Sequence, residues 1–363
     1  MPSKSANRKK NAEQRGFVGE AIAPVRIKLR AGDVKLGDLA DVTSSESVER
    51  VNLERFARNL ADTYREIVDE LRQIGDVEER RKLILEKMNL SKPSKLGRGG
   101  AYWYSWALPA FATCPGHSGL CEAYCYAAKG RYAVFRDPMR LRTRNLLATL
   151  LPEFPEKMRE LISERLAELE RELEKKGLLG KYPHKVIRLH DSGDFFSISW
   201  LRDWLRRHGV DLREAAELLG VDIDSLPDDK YVRDWAEVVK SMPDVQFYTY
   251  TRAWRDDKLM RSIEEHLLPN KNFTLYLSVD KTMSPDEIRK AVELASKYEN
   301  VKLALTGMSP ENLKQYGVKA ATCPDIILTK MRKGAAVEQR EISGCPACRI
   351  CPYHKTHVVF PLH

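Results

Sequence analysis

Seven cysteines constrain this chain more than any other feature of its sequence. Three lie in the middle of the chain and four lie towards its C-terminus: Cys114, Cys121 and Cys125, then Cys323, Cys345, Cys348 and Cys351. An odd number leaves one thiol over in any complete disulfide scheme, and the basic, polar first residues lack the apolar stretch of a secretory signal. The sequence therefore predicts a cytoplasmic protein whose cysteines bind metal.

The rear cysteines follow the pattern of an iron–sulfur protein. Cys345, Cys348 and Cys351 have C-x2-C-x2-C spacing, which wraps three thiolates around one face of a cubane cluster. Cys323, followed by proline, is the nearest candidate for the fourth ligand. His354 offers an alternative, because three cysteines and one histidine form a zinc site, although zinc sites more often show two separated C-x2-C pairs. The spacing favours a [4Fe–4S] cluster over zinc.

The front cysteines have C-x6-C-x3-C spacing. Three ligands on a four-iron cluster leave one iron open to a small molecule, as in radical S-adenosylmethionine enzymes, which carry an aromatic residue before the last cysteine. Tyr124 supplies that residue here, whereas the usual spacing is C-x3-C-x2-C. Two alternatives stay open: His117 is a fourth ligand of the front cluster, or Cys323 joins the front group and leaves the rear cluster open. The predicted cofactors are two [4Fe–4S] clusters and S-adenosylmethionine.

Apolar periodicity divides the chain into segments of different character. Helical steps begin near Ser47, a long charged helix is predicted over 154–176, and β-rich runs then alternate with helices. These runs are Lys185–Leu189, Val245–Thr251, Phe273–Val279 and Val301–Leu305. The alternation predicts an α/β fold with a parallel, partial β/α barrel-like sheet. The predicted domains are a basic tail and lead-in (1–45), a helical extension (46–95), a β/α core (96–322) with a helical insertion (205–232), and a C-terminal cluster-binding segment (323–363).

Polar residues follow the predicted strands, at the edge where parallel α/β folds place their working side chains. Those interpreted as catalytic are His190, Asp191, Asp194 and Arg252, with His190 or Asp191 as proton carrier and the arginine as a clamp on carboxylate or phosphate. Those interpreted as cofactor-binding are Ser192, Gly193, Asp194 and Tyr124. Similar positions are held by Asp280, Thr306 and Gly307, which are predicted to be turn or helix-cap residues.

Several motifs resemble the phage gene product 88 family. They are residues 107–116 with 121–127, residues 192–197, residues 247–254 and the closing run 345–351. The resemblance covers about residues 95–363, and the helical region before it and the insertion at 205–232 are departures from the family. It implies a shared fold and shared cysteine sites, and it implies no particular reaction.

Charge suggests partners but does not choose among them. The net charge is +9, and residues 1–15 contribute five positive charges against one negative. A basic arm suits nucleic acid, as do the aromatic residues of 102–106, but a solubilising tail and packing around a cluster produce the same patterns. No apolar run is long enough to predict a membrane span. The abundance of Glu, Lys and Arg is typical of thermophiles.

Two functions follow from these patterns. The first is a radical S-adenosylmethionine-like enzyme, which needs an electron donor such as a reductase or a ferredoxin. The second is a non-catalytic iron–sulfur protein in electron transfer or nucleic-acid binding. An open iron separates the two, because a carrier or a structural cluster does not need one. Zinc at both sites is a third hypothesis, which predicts a colourless protein.

Overall fold

The computed structural model describes residues 52–92, 103–128, 136–180, 183–308, 313–323, 350–353 and 356–360. The predicted tail and lead-in at 1–45 lie outside this part of the chain, as do Cys345, Cys348 and His354. Within these ranges, no helix has both the length and the apolar character needed to cross a membrane.

Seven strands form one all-parallel sheet in the described part of the chain. They are β1 (Tyr104–Ala107), β2 (Val186–Ser192), β3 (Gln246–Thr251), β4 (Phe273–Asp280), β5 (Val301–Thr306), β6 (Ala320–Thr322) and β7 (His357–Phe360). Their order across the sheet is β1-β2-β3-β4-β5-β7-β6, so the first five strands lie in chain order. The four predicted β-rich runs are β2 to β5, which confirms the α/β prediction, whereas β1, β6 and β7 were not predicted.

Ten α-helices accompany the sheet in the same residues. They are α1 (Leu53–Arg72), α2 (Val77–Lys87), α3 (Gly119–Tyr124), α4 (Arg136–Ala148), α5 (Phe154–Lys175), α6 (Ile198–Arg207), α7 (Leu212–Leu218), α8 (Lys230–Ser241), α9 (Asp257–Ser262) and α10 (Pro285–Lys297). Parallel neighbours need crossover connections, and right-handed crossovers that keep stepping in one direction put their helices on one face of the sheet. We call this face the helix face.

The helix face carries the main hydrophobic core. Ile187, Phe247 and Leu275, from the three central strands, are fully buried there, together with Trp235 of α8. The predicted charged helix is α5, which contributes a buried apolar stripe to the same core. Burial of this apolar surface is the main stabilising term for the sheet and its helices.

Aromatic residues line the other face of the sheet, which we call the tyrosine face. Trp103, Tyr248, Tyr250 and Tyr276 follow one another at ring-centroid distances of 5.8, 6.0 and 5.3 Å. The C-terminal segment packs on this face: Thr274 Oγ1 donates to the Pro352 carbonyl oxygen at 3.0 Å, and Tyr276 OH donates to that of Thr356 at 3.1 Å. Strand β7 then enters the sheet between β5 and β6.

The predicted insertion packs against the N-terminal helices. It contains the end of α6 and all of α7. The Tyr64 hydroxyl of α1 donates to the Asp211 carbonyl oxygen at 2.8 Å, and Arg81 Nε of α2 donates to that of Leu219 at 2.8 Å. The N-terminal helices and the predicted insertion therefore contact each other.

Candidate functional site

The carboxyl ends of β2, β3 and β4 meet in a buried group of hydrogen bonds, which we call the edge network. Asp194 accepts at Oδ1 from Thr251 Oγ1 and at Oδ2 from the Arg252 backbone N–H, both at 2.6 Å. Arg252 Nη1 donates to Asp280 Oδ2 at 2.5 Å. Ser118 Oγ donates to the same Asp280 oxygen at 2.8 Å. The network therefore joins three strand ends to the loop that carries the front cysteines.

Two glycines set the distance between this cysteine loop and the strand ends. A Cβ at Gly116 would lie 1.9 Å from the Arg252 carbonyl oxygen, so only glycine fits there. Gly193 has φ +81°, and a Cβ there would lie 2.6 Å from Thr113 Oγ1. Arg255 Nη1 also holds the loop by donating to the Gly116 carbonyl oxygen at 3.0 Å.

The loop brings the three front cysteines near one another. Cys121 lies on α3, Cys125 caps the end of α3, and Cys114 precedes the helix. Burial raises the pKa of Cys114 well above its usual value, and the charges of Asp194, Cys125 and Cys121 raise it further. Burial also raises the pKa of Cys125 to about 11, with Cys121 adding to the shift. Because the neighbouring cysteines contribute to both shifts, Cys114, Cys121 and Cys125 lie near one another in the structure.

A buried arginine accompanies the front cysteines. Arg142 of α4 is only 2% exposed, and its Nη1 donates to the Ala127 carbonyl oxygen at 3.2 Å. The Arg142 charge lowers the pKa of Cys125, against the larger effect of burial. An iron–sulfur cluster on thiolates is anionic, so a buried cation beside these thiols suits it.

His117 has partners at both ring nitrogens. Nδ1 lies 2.8 Å from the Cys114 carbonyl oxygen, which can only accept, so Nδ1 carries a proton. Nε2 lies 3.1 Å from Glu122 Oε1. A metal-binding histidine commonly makes such a hydrogen bond through its other ring nitrogen, so the alternative in which His117 is the fourth ligand stays a prediction.

Asp194 is a predicted site residue whose charge acts on a front cysteine, Cys114. Burial raises its pKa to about 6, while the hydrogen bonds from Thr251, Arg252 and Phe195 oppose the shift. Its charge in turn raises the pKa of Cys114. A carboxyl group that titrates near neutrality beside a candidate metal ligand is a common feature of functional sites.

Arg252, predicted as an oxyanion clamp, is held in a structural ion pair. Its side chain is 13% exposed, and its partner Asp280 is completely buried. Asp280 was predicted to be a turn residue, and Oδ1 does accept from the Thr282 N–H at 2.8 Å. Its second oxygen binds Arg252 and Ser118, which sequence reasoning missed because these three residues are far apart in the chain.

The structure does not bring His190 to the edge network. Its Nδ1 lies 3.0 Å from Thr249 Oγ1 and its Nε2 lies 2.9 Å from Tyr231 OH, within the helix-face core. Burial lowers the pKa of His190 to about 3, and the charge of Arg188 lowers it further. A neutral imidazole with both nitrogens satisfied is a core residue, so its surroundings give the predicted role in proton transfer no support.

The remaining predicted site residues lie near the edge network or on the tyrosine face. Ser192 Oγ donates to the Leu108 carbonyl oxygen at 2.7 Å, and Tyr124 is 42% exposed at the end of α3. Asp191 turns to the tyrosine face, where Oδ1 accepts from Tyr126 OH at 3.2 Å and lies 3.3 Å from Arg188 Nη1. Arg188 was not predicted, although a charged residue inside a buried strand is a signal that could have found it.

Two of the rear cysteines lie in the same part of the tyrosine face. Cys323 directly follows β6 and is buried with Tyr276 and Val358, and Cys351 packs against the same group. This proximity supports the assignment of Cys323 to the rear group. The other two rear cysteines lie outside the described residues.

In the part of the chain that the structure describes, no three or more His, Cys, Asp or Glu side chains are grouped to hold a single metal ion. Cys114 nevertheless lies close enough to Cys121 and Cys125 for their charges to raise its pKa.

A pocket of about 500 Å³ borders the cysteine loop. Its lining includes His117, Trp200, Trp254, Arg255, Glu287 and Lys290. The charged side chains are paired: Arg255 Nη2 lies 2.7 Å from Glu287 Oε1, and Lys290 Nζ lies 2.5 Å from Asp257 Oδ1. The loop that carries the front cysteines therefore adjoins a space of ligand size.

Fold and site together define a parallel α/β protein with a cysteine-based candidate metal centre at the carboxyl end of its sheet. The sequence model of the family described as Gene product 88 matches residues 77–210 and 223–354, and the chain belongs to this family. The match begins in α2, nearer the N-terminus than the motifs had indicated. Its interruption at 211–222 lies inside the predicted insertion.

Two curated phage proteins are similar to this chain. The Gene 88 protein of Mycobacterium phage D29 is 25% identical over 256 residues, which cover 68% of this chain and 81% of that protein. The Gene 88 protein of Mycobacterium phage L5 has the same identity and coverage. No solved structure matches the chain. The family confirms the resemblance seen in the motifs and assigns neither a cofactor nor a reaction.

Proposed function

We propose that this protein is an iron–sulfur enzyme of the radical S-adenosylmethionine type. In the proposal, Cys114, Cys121 and Cys125 hold a [4Fe–4S] cluster whose fourth iron is open to S-adenosylmethionine. A second, auxiliary [4Fe–4S] cluster has four thiolate ligands: Cys323, Cys345, Cys348 and Cys351. A reductase or a ferredoxin supplies the electron.

One observation carries the proposal. The loop that carries Cys114, Cys121 and Cys125 docks on the carboxyl ends of parallel strands, and the charges of its neighbouring cysteines raise the pKa of Cys114. This edge is where parallel α/β folds place their chemistry. The chain-order arrangement of β1 to β5 also matches the winding of a barrel, so a partial barrel is part of the proposal.

The residues around the thiols have separable tasks. When bound, the cluster supplies an electron to the cofactor. Arg142 offsets the negative charge of the thiolates, and the edge network fixes the cysteine loop on the sheet. Of the predicted cofactor residues, Asp194 is the one whose charge reaches Cys114, and we assign it to the amine or ribose of S-adenosylmethionine. Ser192, Gly193 and Tyr124 keep their predicted role in binding the cofactor.

The test begins with anaerobic purification, iron and sulfide analysis, and electron paramagnetic resonance of the reduced protein. We expect about eight irons per chain, and one signal that shifts when S-adenosylmethionine is added. Cys121→Ser should lose about four irons together with the responsive signal, and Cys351→Ser should lose about four irons but keep it.

Gly119→Ala is the control for these variants, because it alters the same loop without removing a thiol and its new Cβ meets nothing within 4 Å. It should keep the iron of the wild-type protein. Two clusters without any response to S-adenosylmethionine would instead favour electron transfer or a structural role. A colourless protein that contains zinc would refute the proposal.

A further inference from the structure

Arg188 lies on the tyrosine face between the two cysteine-bearing segments. On one side, Asp191 links it to Tyr126, which directly follows Cys125. On the other side, its guanidinium lies 5.2 Å from the ring centroid of Tyr250. Tyr250 packs against the same buried residues as Cys351. The arginine therefore occupies the surface that both candidate clusters border.

In the described residues, the carboxylate beside Arg188 is Asp191, and their contact is longer than that of a close ion pair. The Arg188 side chain is 17% exposed, and the distance from Nη1 to Asp191 Oδ1 is 3.3 Å. A charge-assisted hydrogen bond between such groups is normally about 2.7–2.9 Å. Arg252 shows what a tight pair looks like in this protein, with 2.5 Å to Asp280 Oδ2. Asp191 also shares its oxygen with the Tyr126 hydroxyl, which weakens its hold on Arg188.

One donor of Arg188 lacks a hydrogen bond. Nε is buried and finds no partner within the described part of the chain. Buried donors in folded proteins are almost always satisfied, so an exception requires an explanation. Nε forms one edge of the guanidinium fork with Nη2, whereas Asp191 contacts Nη1. This edge has the spacing of two oxygens of a carboxylate or a phosphate.

The surroundings indicate the rest of the ligand. Tyr126 is 36% exposed, and Tyr250 lies under the guanidinium with Tyr248 at its edge. Tyrosines present flat apolar surfaces with polar ends, which suit a planar organic molecule. Asp191 is the acidic group beside Arg188, so the site is not strongly cationic and the ligand must be matched in shape as well as charge.

We infer that Arg188 anchors the oxyanion, a carboxylate or a phosphate, of a small organic substrate on the tyrosine face between the two cysteine groups. The inference rests on the proposed function in calling this molecule a substrate. It transfers to Arg188 the clamp role that the sequence had assigned to Arg252.

Isothermal titration calorimetry of the full-length, anaerobically purified protein tests the inference, with sodium phosphate and sodium benzoate as probes at constant ionic strength. Wild-type protein should bind at least one probe saturably. Stronger binding of phosphate indicates a phosphorylated substrate, and stronger binding of benzoate indicates an aromatic or otherwise planar carboxylate. Arg188→Gln should weaken the binding of the preferred probe at least about tenfold, because it removes the positive charge and the forked pair of N–H donors.

Arg188→Lys separates the fork from the charge and should weaken binding about threefold. It also carries the test if the glutamine variant does not fold. Arg202→Gln is the matched control, because Arg202 pairs with Asp224 on the surface and should leave binding unchanged. Wild-type protein that binds neither probe, or Arg188 variants that bind like wild type, would overturn the inference.

Iron analysis of the same samples separates this inference from the proposed function. If wild-type protein holds no iron but binds the probe through Arg188, the anion site stands and the iron–sulfur proposal fails. If it holds both clusters and its variants bind the probe unchanged, the proposal stands and the anion site fails.

Discussion

Two arginines of the sheet, Arg252 directly after β3 and Arg188 within β2, have different environments. Arg252 pairs closely with Asp280, which is itself bound by Ser118 and by Thr282. Arg188 has a carboxylate partner at 3.3 Å and a buried Nε without a hydrogen bond in the described residues. The charge of the first arginine is neutralised by a carboxylate whose two oxygens are both satisfied, whereas the second arginine retains a donor that can bind another group.

The difference teaches that a charged residue at a strand end is not by itself a binding residue. A buried ion pair whose carboxylate oxygens are all satisfied holds the neighbouring segments in place, and breaking it leaves an uncompensated charge. An arginine with a buried donor that lacks a partner can bind an oxygen of a ligand. The following predictions test this distinction between the two arginines. It requires that substitutions in the edge network lower the stability more than substitutions beside Arg188 do.

Gly116→Ala should cause the largest loss of stability. The new Cβ would lie 1.9 Å from the Arg252 carbonyl oxygen, so the cysteine loop has to leave the strand ends. We expect the free energy of unfolding to fall by more than ~4 kcal/mol, and iron to be lost with it. Chemical denaturation and iron analysis measure the two effects.

Gly119→Ala is the matched control for that substitution. Gly119 lies three residues further along the same loop, at the start of α3, and a Cβ there meets nothing within 4 Å. It should be neutral or slightly stabilising, because alanine favours helix more than glycine does. Equal effects of the two alanines would show that the contact between Gly116 and Arg252 does not hold the loop.

Asp280→Asn should have the next largest effect. It leaves the Arg252 guanidinium, only 13% exposed, without its counter-charge, and we expect a loss of about 3 kcal/mol. Asp191→Asn makes the same chemical change beside Arg188 and should lose less stability, because that contact is longer, at 3.3 Å, and the neighbouring Tyr126 and Tyr250 also raise the pKa of Arg188. Denaturant titrations at pH 7 measure both variants, and similar losses would remove the distinction between the two arginines.

His190→Asn should change how stability depends on pH. Burial holds the pKa of His190 at about 3, while the unfolded chain takes up a proton near pH 6.5. The wild-type fold is therefore fully stabilised above pH 6.5 and loses stability as the pH falls below it. Between pH 7 and pH 5 this histidine should contribute a loss of about 2 kcal/mol, which the variant should not show.

The measurement is the difference in the free energy of unfolding between the variant and the wild-type protein, from pH 7 to pH 5. Asp194 acts in the opposite direction, because its pKa of about 6 lies above the value of an unfolded aspartate and favours the fold as the pH falls. Both proteins contain Asp194, so its contribution cancels in the difference. Asparagine also tolerates the φ of +59° at position 190. Parallel pH curves would contradict the assignment of His190 as a neutral core residue.

The predicted strands and the missed ones differ in length and surroundings. Strands β2 to β5 were predicted because apolar, aromatic and β-branched residues predominate in them, as expected for strands with little exposure. Strands β1 and β7 have four residues each, and β6 has three. Runs this short carry no recognisable period, and their pairing partners lie far away in the chain.

The candidate site divides in the same way. Spacing identified the front cysteines and the strand ends, and Asp194 and Arg252 do meet there. The sequence could not show that His190 faces the helix-face core and Asp191 the tyrosine face, because a single residue with φ of +59° sets that turn. The sequence also could not show that Arg188 Nε is buried without a hydrogen-bond partner in the described residues, which is the reason for proposing a ligand there.

The amino-acid sequence by itself determined the α/β class and the position of the four longer strands, because these follow from local periodicity, and spacing predicted the grouping of the cysteines. The tertiary structure alone decided which charges are neutralised, which face each strand-end residue takes and how closely the cysteine loop approaches the sheet. Those properties depend on contacts between residues such as Ser118 and Asp280, or Gly116 and Arg252, that are distant in the chain. Burial and pairing in three dimensions, rather than residue type, decide whether a polar side chain stabilises the fold or binds a ligand.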